Sequence, residues 1–451
     1  MRANALRSVI LSVFLFAGLS ACSSGAQDAA GKGGAIASGG RTSGSGGSLG
    51  GRDGTGGGVR AEGGTGSGGQ ESGGRSGTGG DGGTSSTGGK PSTGGTGAGG
   101  IAATGGSSSA VDSGVDGGAT SLLGPCDILA TGNTPCVAAH STVRVLASTY
   151  SGPLYQVRRP SDGKTQDIGF LAASGTADSA AQETFCTGTK CTISVIYDQS
   201  GRANHLKKSL GGAEVCRHAD REAVADALPL TIGGHKAYAI KVVSDSDGGC
   251  NPPAGSEGTG YRLDKATGTA TGDDAETQYM VTSGLTEAYG NSGCCFDYGN
   301  VETSDRDDGA ATMEAIYFGG GAGWGRGGGN GPWVLVDMEN GIFSGSTSSY
   351  TGNTSVPYAY VTGAVIGRAG GTYAILAGDA QKGDLKTMYD GARPNGYTKM
   401  KKQGAIVLGT GGDNSDHGQG YFYEGVMTTG AATAAVLSQV HANIVAAGYG
   451  K

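Results

Sequence analysis

Basic clusters, long apolar runs and paired metal-binding cysteines are all missing or scarce in this sequence of 451 residues. No Lys/Arg-rich run occurs after residue 120, and the net charge is −7. Nucleic acid is therefore not an expected partner, because phosphate recognition needs clustered positive charge. No C-x-x-C pair is present, and the histidines (His140, His205, His218, His235, His417 and His441) stand alone. Such spacing gives no zinc site, so no metal and no cofactor is expected. The apolar stretch Ser8 to Leu19 is too short to span a bilayer comfortably. Helical periodicity is scarce as well.

Glycine, by contrast, is abundant, with 94 residues, many of them before residue 120. Arg2 and Arg7 precede the Ser8–Leu19 stretch, which ends in Leu19-Ser20-Ala21-Cys22. This order reads as an export signal over residues 1–21, followed by a cysteine that cleavage makes N-terminal and available for lipidation. A plain signal peptide cut near Ala21 is the alternative. Acyl chains on Cys22 would hold the protein at a membrane. Ser23, in place of an acidic residue, points to the outer membrane or cell surface. Residues 22–120 are rich in Gly, Ser and Thr and nearly devoid of large apolar side chains. They are expected to form a disordered tether, spanning about 55 Å by random-coil scaling. Gly46-Gly47-Ser48-Leu49-Gly50 satisfies an esterase pattern, but within such a linker it is chance composition. Residues 121–451 are long enough for one large domain, expected to be a monomer.

Apart from Cys22, eight of the nine cysteines remain, all after residue 120. An even number in an exported chain suits disulfides. Proximity suggests Cys126–Cys136, Cys186–Cys191 and the adjacent Cys294–Cys295, leaving Cys216 and Cys250 for each other. Short β-rich runs appear at Val143–Leu146, Cys191–Tyr197, Lys236–Val243, Trp333–Met338, Ala374–Leu376, Ala405–Leu408 and Tyr421–Met427, separated by turn residues. One helix is expected over Ala431–Ala446, with Val436, Val440, Ile444 and Val445 as its apolar stripe. These features predict an all-β sandwich with a C-terminal helix. Asp245-x-Asp247-Gly248 and Asp305-x-Asp307-Asp308-Gly309 are fragments of Asp-rich loops. Neither continues into a calcium-loop pattern, so both read as surface turns.

Three segments could carry chemistry. In a strand through Trp333, alternation places Trp333, Leu335, Asp337 and Glu339 on one face and Val334, Val336 and Met338 on the other. Two carboxylates so close raise one another's pKa. The pair is either functional or a solvated strand end. Ala405–Leu408 runs into Gly409, Gly411 and Gly412, then Asp413, which is placed at the mouth of a cleft or in an ordinary turn. Glu424 is expected to face the core with Phe422 and Val426 as a structural acid, paired with a lysine or a backbone donor. Cys294–Cys295 would close a small strained ring, offering a stiff sulfur surface on which a sugar can lie. Two cysteines bonded to different partners remain the ordinary alternative.

Cys126-Asp127-Ile128, Tyr197-Asp198-Gln199-Ser200-Gly201, Cys294-Cys295-Phe296-Asp297-Tyr298-Gly299-Asn300, Asp337-Met338-Glu339-Asn340 and Gly411-Gly412-Asp413-Asn414-Ser415 together resemble the catalytic domain of glycoside hydrolase family 54, the α-L-arabinofuranosidase B type. The resemblance covers about Gly124 to Tyr449. It implies a concanavalin-like β-sandwich (jelly roll) and a retaining α-L-arabinofuranosidase acting on arabinan, arabinoxylan or their oligosaccharides. By motif, Glu339 corresponds to the nucleophile and Asp413 to the general acid/base. Asp337, Asn340, Trp324, Gly412 and the Cys294–Cys295 ring correspond to the substrate pocket. The resemblance also leads us to expect Asp413 protonated and Glu339 ionised at rest. Relatives usually continue into a β-trefoil that binds arabinose side chains. The chain stops at Lys451, so that module is expected to be absent and the anchor to substitute for it. A furanosidase for galactofuranose, a non-catalytic surface lectin and a purely structural lipoprotein are the competing readings. The carboxyl pair and the adjacent cysteines speak against the last two.

Overall fold

The computed structural model describes residues 123–211, 219–244, 254–290, 293–321, 323–415 and 418–451. The export signal, Cys22, the tether, the Cys216–Cys250 pair and the Asp245–Gly248 turn lie outside the described residues. All the described residues belong to one compact unit within Asp116–Lys451.

Two antiparallel sheets dominate the described residues. The first orders its strands as Cys136–Ser141, Gly420–Thr429, Glu276–Thr282, Val361–Arg368, Thr372–Asp379 and Lys386–Ala392, with Ile240–Val242 also paired to Gly420–Thr429. The second runs Ile342–Phe343, Trp333–Asp337, Glu314–Gly319, Asp297–Val301, Ala405–Leu408, Tyr261–Leu263, Leu206–Lys208, Thr192–Ile196, Tyr155–Arg158 and Thr165–Ile168. Their facing sides bury Met280, Val361, Ile375 and Met427 from one sheet against Tyr298, Ile316, Val334, Val336 and Ile406 from the other. Side chains interdigitating between two sheets form the core expected of a sandwich. The outer face of the first sheet is covered by the helix Ala434–Ala447, which buries Leu437, Val440, His441 and Ile444. That stripe is shifted from the expected one, for Val436 and Val445 are only half-buried. Thr433 caps the helix through a bond from Val436 N, and Gly448 ends it at φ +76°.

Strand signals were incomplete in instructive ways. Val143–Leu146 forms no strand, only an isolated bridge between Arg144 and Thr176. Lys236–Val243 breaks at Ala239 into two strands belonging to different sheets. A bulge in the pairing of Gly420–Thr429 with Glu276–Thr282 shifts the alternation, so Phe422 joins the inter-sheet core while Val426 faces the helix layer. Glu424 lies on the helix side. Its partner is Arg144, which holds both carboxylate oxygens at 2.5 and 2.8 Å, with Tyr279 and Tyr449 hydroxyls donating as well. Every lone pair in this buried group thereby has a donor, which a buried ion pair requires. Cys126–Cys136, Cys186–Cys191 and Cys294–Cys295 are bonded in the structure.

Candidate active site

Lateral pairing puts Leu335, Tyr317 and Asp297 at one level of the second sheet and Asp337 beside Ala315. Paired residues of an antiparallel sheet share a face. Trp333, Leu335, Tyr317, Ile342 and Cys295 pack together there, on the opposite side from Val334 and Val336. The outer face of this sheet is therefore where carboxyl groups collect.

Trp333–Asp337 ends at Asp337, and Glu339 lies beyond it in a turn. Glu339 and Asn340 have φ of +63° and +56°, a region that side chains other than glycine rarely adopt. Simple alternation did not foresee this turn, yet the two carboxyls still converge. Glu339 N donates to Asp337 Oδ1 at 3.1 Å, Met338 N to Gly341 O at 3.1 Å, and the Tyr397 hydroxyl to Glu339 O at 3.0 Å. A strained turn held by three hydrogen bonds is stiff, which suits a residue that must aim. Asn340 is exposed, and its Nδ2 donates to Asp307 Oδ1 at 2.8 Å. The Asp305–Gly309 turn is thus more than a surface turn. Its Asp305 pairs with Arg262, and its Asp307 anchors Asn340.

Asp413 arrives from the other side, on the loop after Ala405–Leu408. Gly411 N donates to Ser415 O at 2.9 Å, and Ser415 N to Asp413 Oδ1 at 3.0 Å. Asn414 sits at φ +65° and accepts from the Ser209 hydroxyl. Asp413 itself is half-buried. The disulfide lies between the two carboxyl loops. Cys295 and Cys294 sulfurs are 3.5 and 3.9 Å from Asp337 Oδ2, and 3.8 and 3.9 Å from Ser415 Oγ. Cys294, Cys295 and Asp337 bring three ligand-type atoms within 4.8 Å of one another. Because the sulfurs are bonded to each other, they offer no thiolate to a metal. Trp324 is 49 % exposed on a glycine-rich loop. A Cβ at Gly325, beside it, would stand 2.7 Å from Ile342 O, so the loop packs next to the Glu339–Asn340 turn.

Two carboxyls escaped the sequence reading. Asp297 lies within a quoted motif without a role, and Glu302 lies outside all of them. Both are buried, and neither oxygen of Asp297 has a hydrogen-bond donor among the described residues. Arg262 ties this region together. Its Nη1 donates to Gly412 O at 2.8 Å, its Nη2 to Glu302 O, and its Nε to Asp264 Oδ1 at 2.5 Å.

Burial first, then Glu302 and Asp413, pushes Asp337 up to about 8. Burial, with Glu302, Asp337 and Asp413 adding, pushes Glu339 up to about 12. Asp297 is held well above the usual carboxylate range by burial and by Asp337, Asp413 and Glu302. Burial and the crowding of carboxyls in this pocket thus favour protonated forms of these groups. Asp337 titrates near 4 when unfolded and near 8 when folded, so the folded state binds more protons between those values. Stability contributed by this group is full below about pH 4 and falls as pH rises toward 8. Asp337→Asn should leave the melting temperature unchanged at pH 4 and stabilise the protein at pH 8 by ~1 kcal/mol or more. Thermal melts at both pH values decide it, and equal shifts would refute the assignment.

Several carboxyls meeting beside the Cys294–Cys295 disulfide, on the face of a β-sandwich, form the class of site that glycoside hydrolases build. The chain belongs to the family described as Alpha-L-arabinofuranosidase B, catalytic, which matches residues 125–450. It is 50% identical over 339 residues to a probable alpha-L-arabinofuranosidase B of Aspergillus fumigatus, covering 74% of this chain and 63% of that one. An arabinofuranosidase/B-xylosidase of Trichoderma koningii is 51% identical over 339 residues, with 74% and 64% covered. A crystal structure of arabinofuranosidase complexed with arabinofuranosyl-alpha-1,2-xylobiose matches at 49% identity and a TM-score of 0.67, covering 72% of this chain and 66% of that chain. A glycoside hydrolase family 54 α-L-arabinofuranosidase soaked with a cyclic sulfate inhibitor matches at 50% identity with the same TM-score and coverage. The chain spans 63% of the length of the Aspergillus fumigatus relative.

Proposed function

We propose that the chain is a retaining α-L-arabinofuranosidase that releases terminal arabinofuranose from arabinan, arabinoxylan or their oligosaccharides. The observation that carries this reading is the convergence of Glu339 and Asp413, from separate stiffened loops, on one carboxyl-lined pocket beside the Cys294–Cys295 ring. In the first step a Glu339 carboxylate oxygen attacks the anomeric carbon. The bond to the leaving oxygen breaks, and that oxygen takes the proton of Asp413. In the second, Asp413 removes a proton from water, which attacks the same carbon and frees Glu339. Asp337, Asn340, Gly412 and Trp324 line the arabinofuranose site. The finer fold is a concanavalin-like jelly roll over residues 121–451. Residues 1–21 are an export signal, and lipidated Cys22 with the 22–120 tether holds the enzyme at an outer membrane or cell surface. The relative bound to arabinofuranosyl-alpha-1,2-xylobiose supports an arabinoxylan-type substrate.

The deciding experiment offers the full chain p-nitrophenyl α-L-arabinofuranoside and, in parallel, the β-D-galactofuranoside, following the product anomer by NMR. Release of α-L-arabinofuranose as the first-formed product is expected. An inverted product, or faster cleavage of the galactofuranoside, would overturn the mechanism or the substrate respectively.

A further inference from the structure

If Glu339 is the nucleophile, the pocket sets it a difficulty, since crowding by carboxyls favours a proton on the group that must attack without one. Glu302 offers a way out. It is wholly buried at 0 % exposure. Its Oε1 meets the Thr312 hydroxyl, and its backbone carbonyl accepts from Arg262 Nη2. With all carboxyls ionised, Oε2 has no donor among the described residues. What faces it is Glu339. A Cβ at Gly412 would stand 2.0 Å from Glu302 Oε2 and 3.1 Å from Glu339 Oε2, and the two carboxyls are within hydrogen-bonding reach. Two carboxylates only accept, so that contact is repulsive without a proton and favourable with one.

The surroundings argue for one proton. Asp337, Asp297 and Asp413 face the pair with negative charge or neutral carboxyls. Arg262 favours an ionised Glu302, but its guanidinium is already engaged by Gly412 O, Asp264 and Asp305. Tyr397 gives its hydroxyl to the Glu339 backbone, and Asp307 lies beyond it. A second negative charge on the pair would go uncompensated in a buried site.

We propose that Glu302 is the proton partner of Glu339: the pair holds one proton, which lies on Glu302 while Glu339 attacks. The step balances within the pair. The Glu339 O–H bond breaks as a Glu302 O–H bond forms, freeing the Glu339 lone pair for the anomeric carbon, and Asp413 separately protonates the leaving oxygen. Glu302 thus acts through Glu339 as a positioning residue. The inference rests on the nucleophile role proposed above, but its test reads protonation and does not depend on turnover.

Infrared difference spectra of the folded full chain at its pH optimum should contain one protonated-carboxyl band that Glu302→Gln removes and Glu339→Gln also removes. Should one variant fail to fold, the other still decides. The pH profile supplies a second readout. A hydrogen-bonded pair sharing one proton resists a second proton, so its first pKa is depressed. Glu302→Gln leaves Glu339 to titrate alone, and the acid limb of kcat/KM should move up by about one pH unit or more. Loss of only carboxylate absorption in both variants would overturn the shared proton. An unmoved acid limb in a folded Glu302→Gln would overturn the role of Glu302 in it. Failure of the furanoside assay would instead strike the enzymatic reading and leave the infrared result standing.

Discussion

Glu339→Gln should lower kcat on p-nitrophenyl α-L-arabinofuranoside by roughly 10³-fold or more, with KM changed little. The amide keeps the size of the side chain and its turn, but it cannot form the glycosyl ester. Asp413→Asn should behave differently. p-Nitrophenolate departs without much protonation, so the first step survives and the second, which needs a base for water, becomes limiting. The covalent intermediate then accumulates, and KM falls together with kcat by roughly 10²-fold or more. Azide separates the two roles. It needs no general base, so it should restore turnover to Asp413→Asn and yield the azide of retained configuration. Glu339→Ala, with a vacated space below the sugar, should yield the azide of inverted configuration. Azide products of the same configuration from both variants would sink the assignment of roles. The measurement is steady-state kinetics with NMR of the products.

Much of the scaffold was legible because half-buried strands announce themselves by alternation and turn residues. Ala405–Leu408 was read with its observed boundaries, and Trp333–Asp337 within one residue. Glu276–Thr282 was not seen, although all seven of its residues are buried. Its Glu, Thr and Gln look like solvent-facing residues in sequence. They are buried because partners lie across the sandwich: Glu276 pairs with Lys402 at 3.0 Å, and Gln278 Nε2 donates to Glu314 O at 2.6 Å. A pattern of hydrophobicity cannot report a polar residue whose partner is distant in the chain.

Similar reasoning applies to the site. Asp337, Glu339, Asp413 and the two adjacent cysteines stood out through local rarity. Arg262 and Glu302 carry no local signal, since one isolated arginine in a short strand and one isolated glutamate just past a strand end are commonplace. Their importance comes only from tertiary placement, Arg262 bridging the Glu302 and Gly412 carbonyls from loops far apart in sequence. Even the correct pairing of Asp337 with Glu339 rested on strand alternation, whereas the structure achieves it through a left-handed turn.

Gly412→Ala should lower kcat about 10²-fold and lower the melting temperature, as overpacking of a rigid buried site does, while keeping the fold. Gly412 is not among the positive-φ residues, so alanine meets no backbone penalty there. The added methyl meets the two carboxyls instead, at 2.0 Å from Glu302 Oε2 and 3.1 Å from Glu339 Oε2. Neither carboxyl can yield freely. Glu302 is held at its backbone by Arg262 and at Oε1 by Thr312, and Glu339 is fixed by the turn that Asp337 and Tyr397 brace. The methyl must therefore part the pair or displace the loop that carries Asp413, and a displacement of about 1 Å at a reacting centre is enough for such a loss. Parting the pair also strips Glu339 of its hydrogen-bonding partner, so the acid limb of kcat/KM should shift along with the fall in kcat. Steady-state kinetics across pH, together with thermal melts, check both effects. A Gly412→Ala enzyme within threefold of the parent kcat would mean that the carboxyls swing aside, and that the pocket is far less rigid than its hydrogen bonds imply.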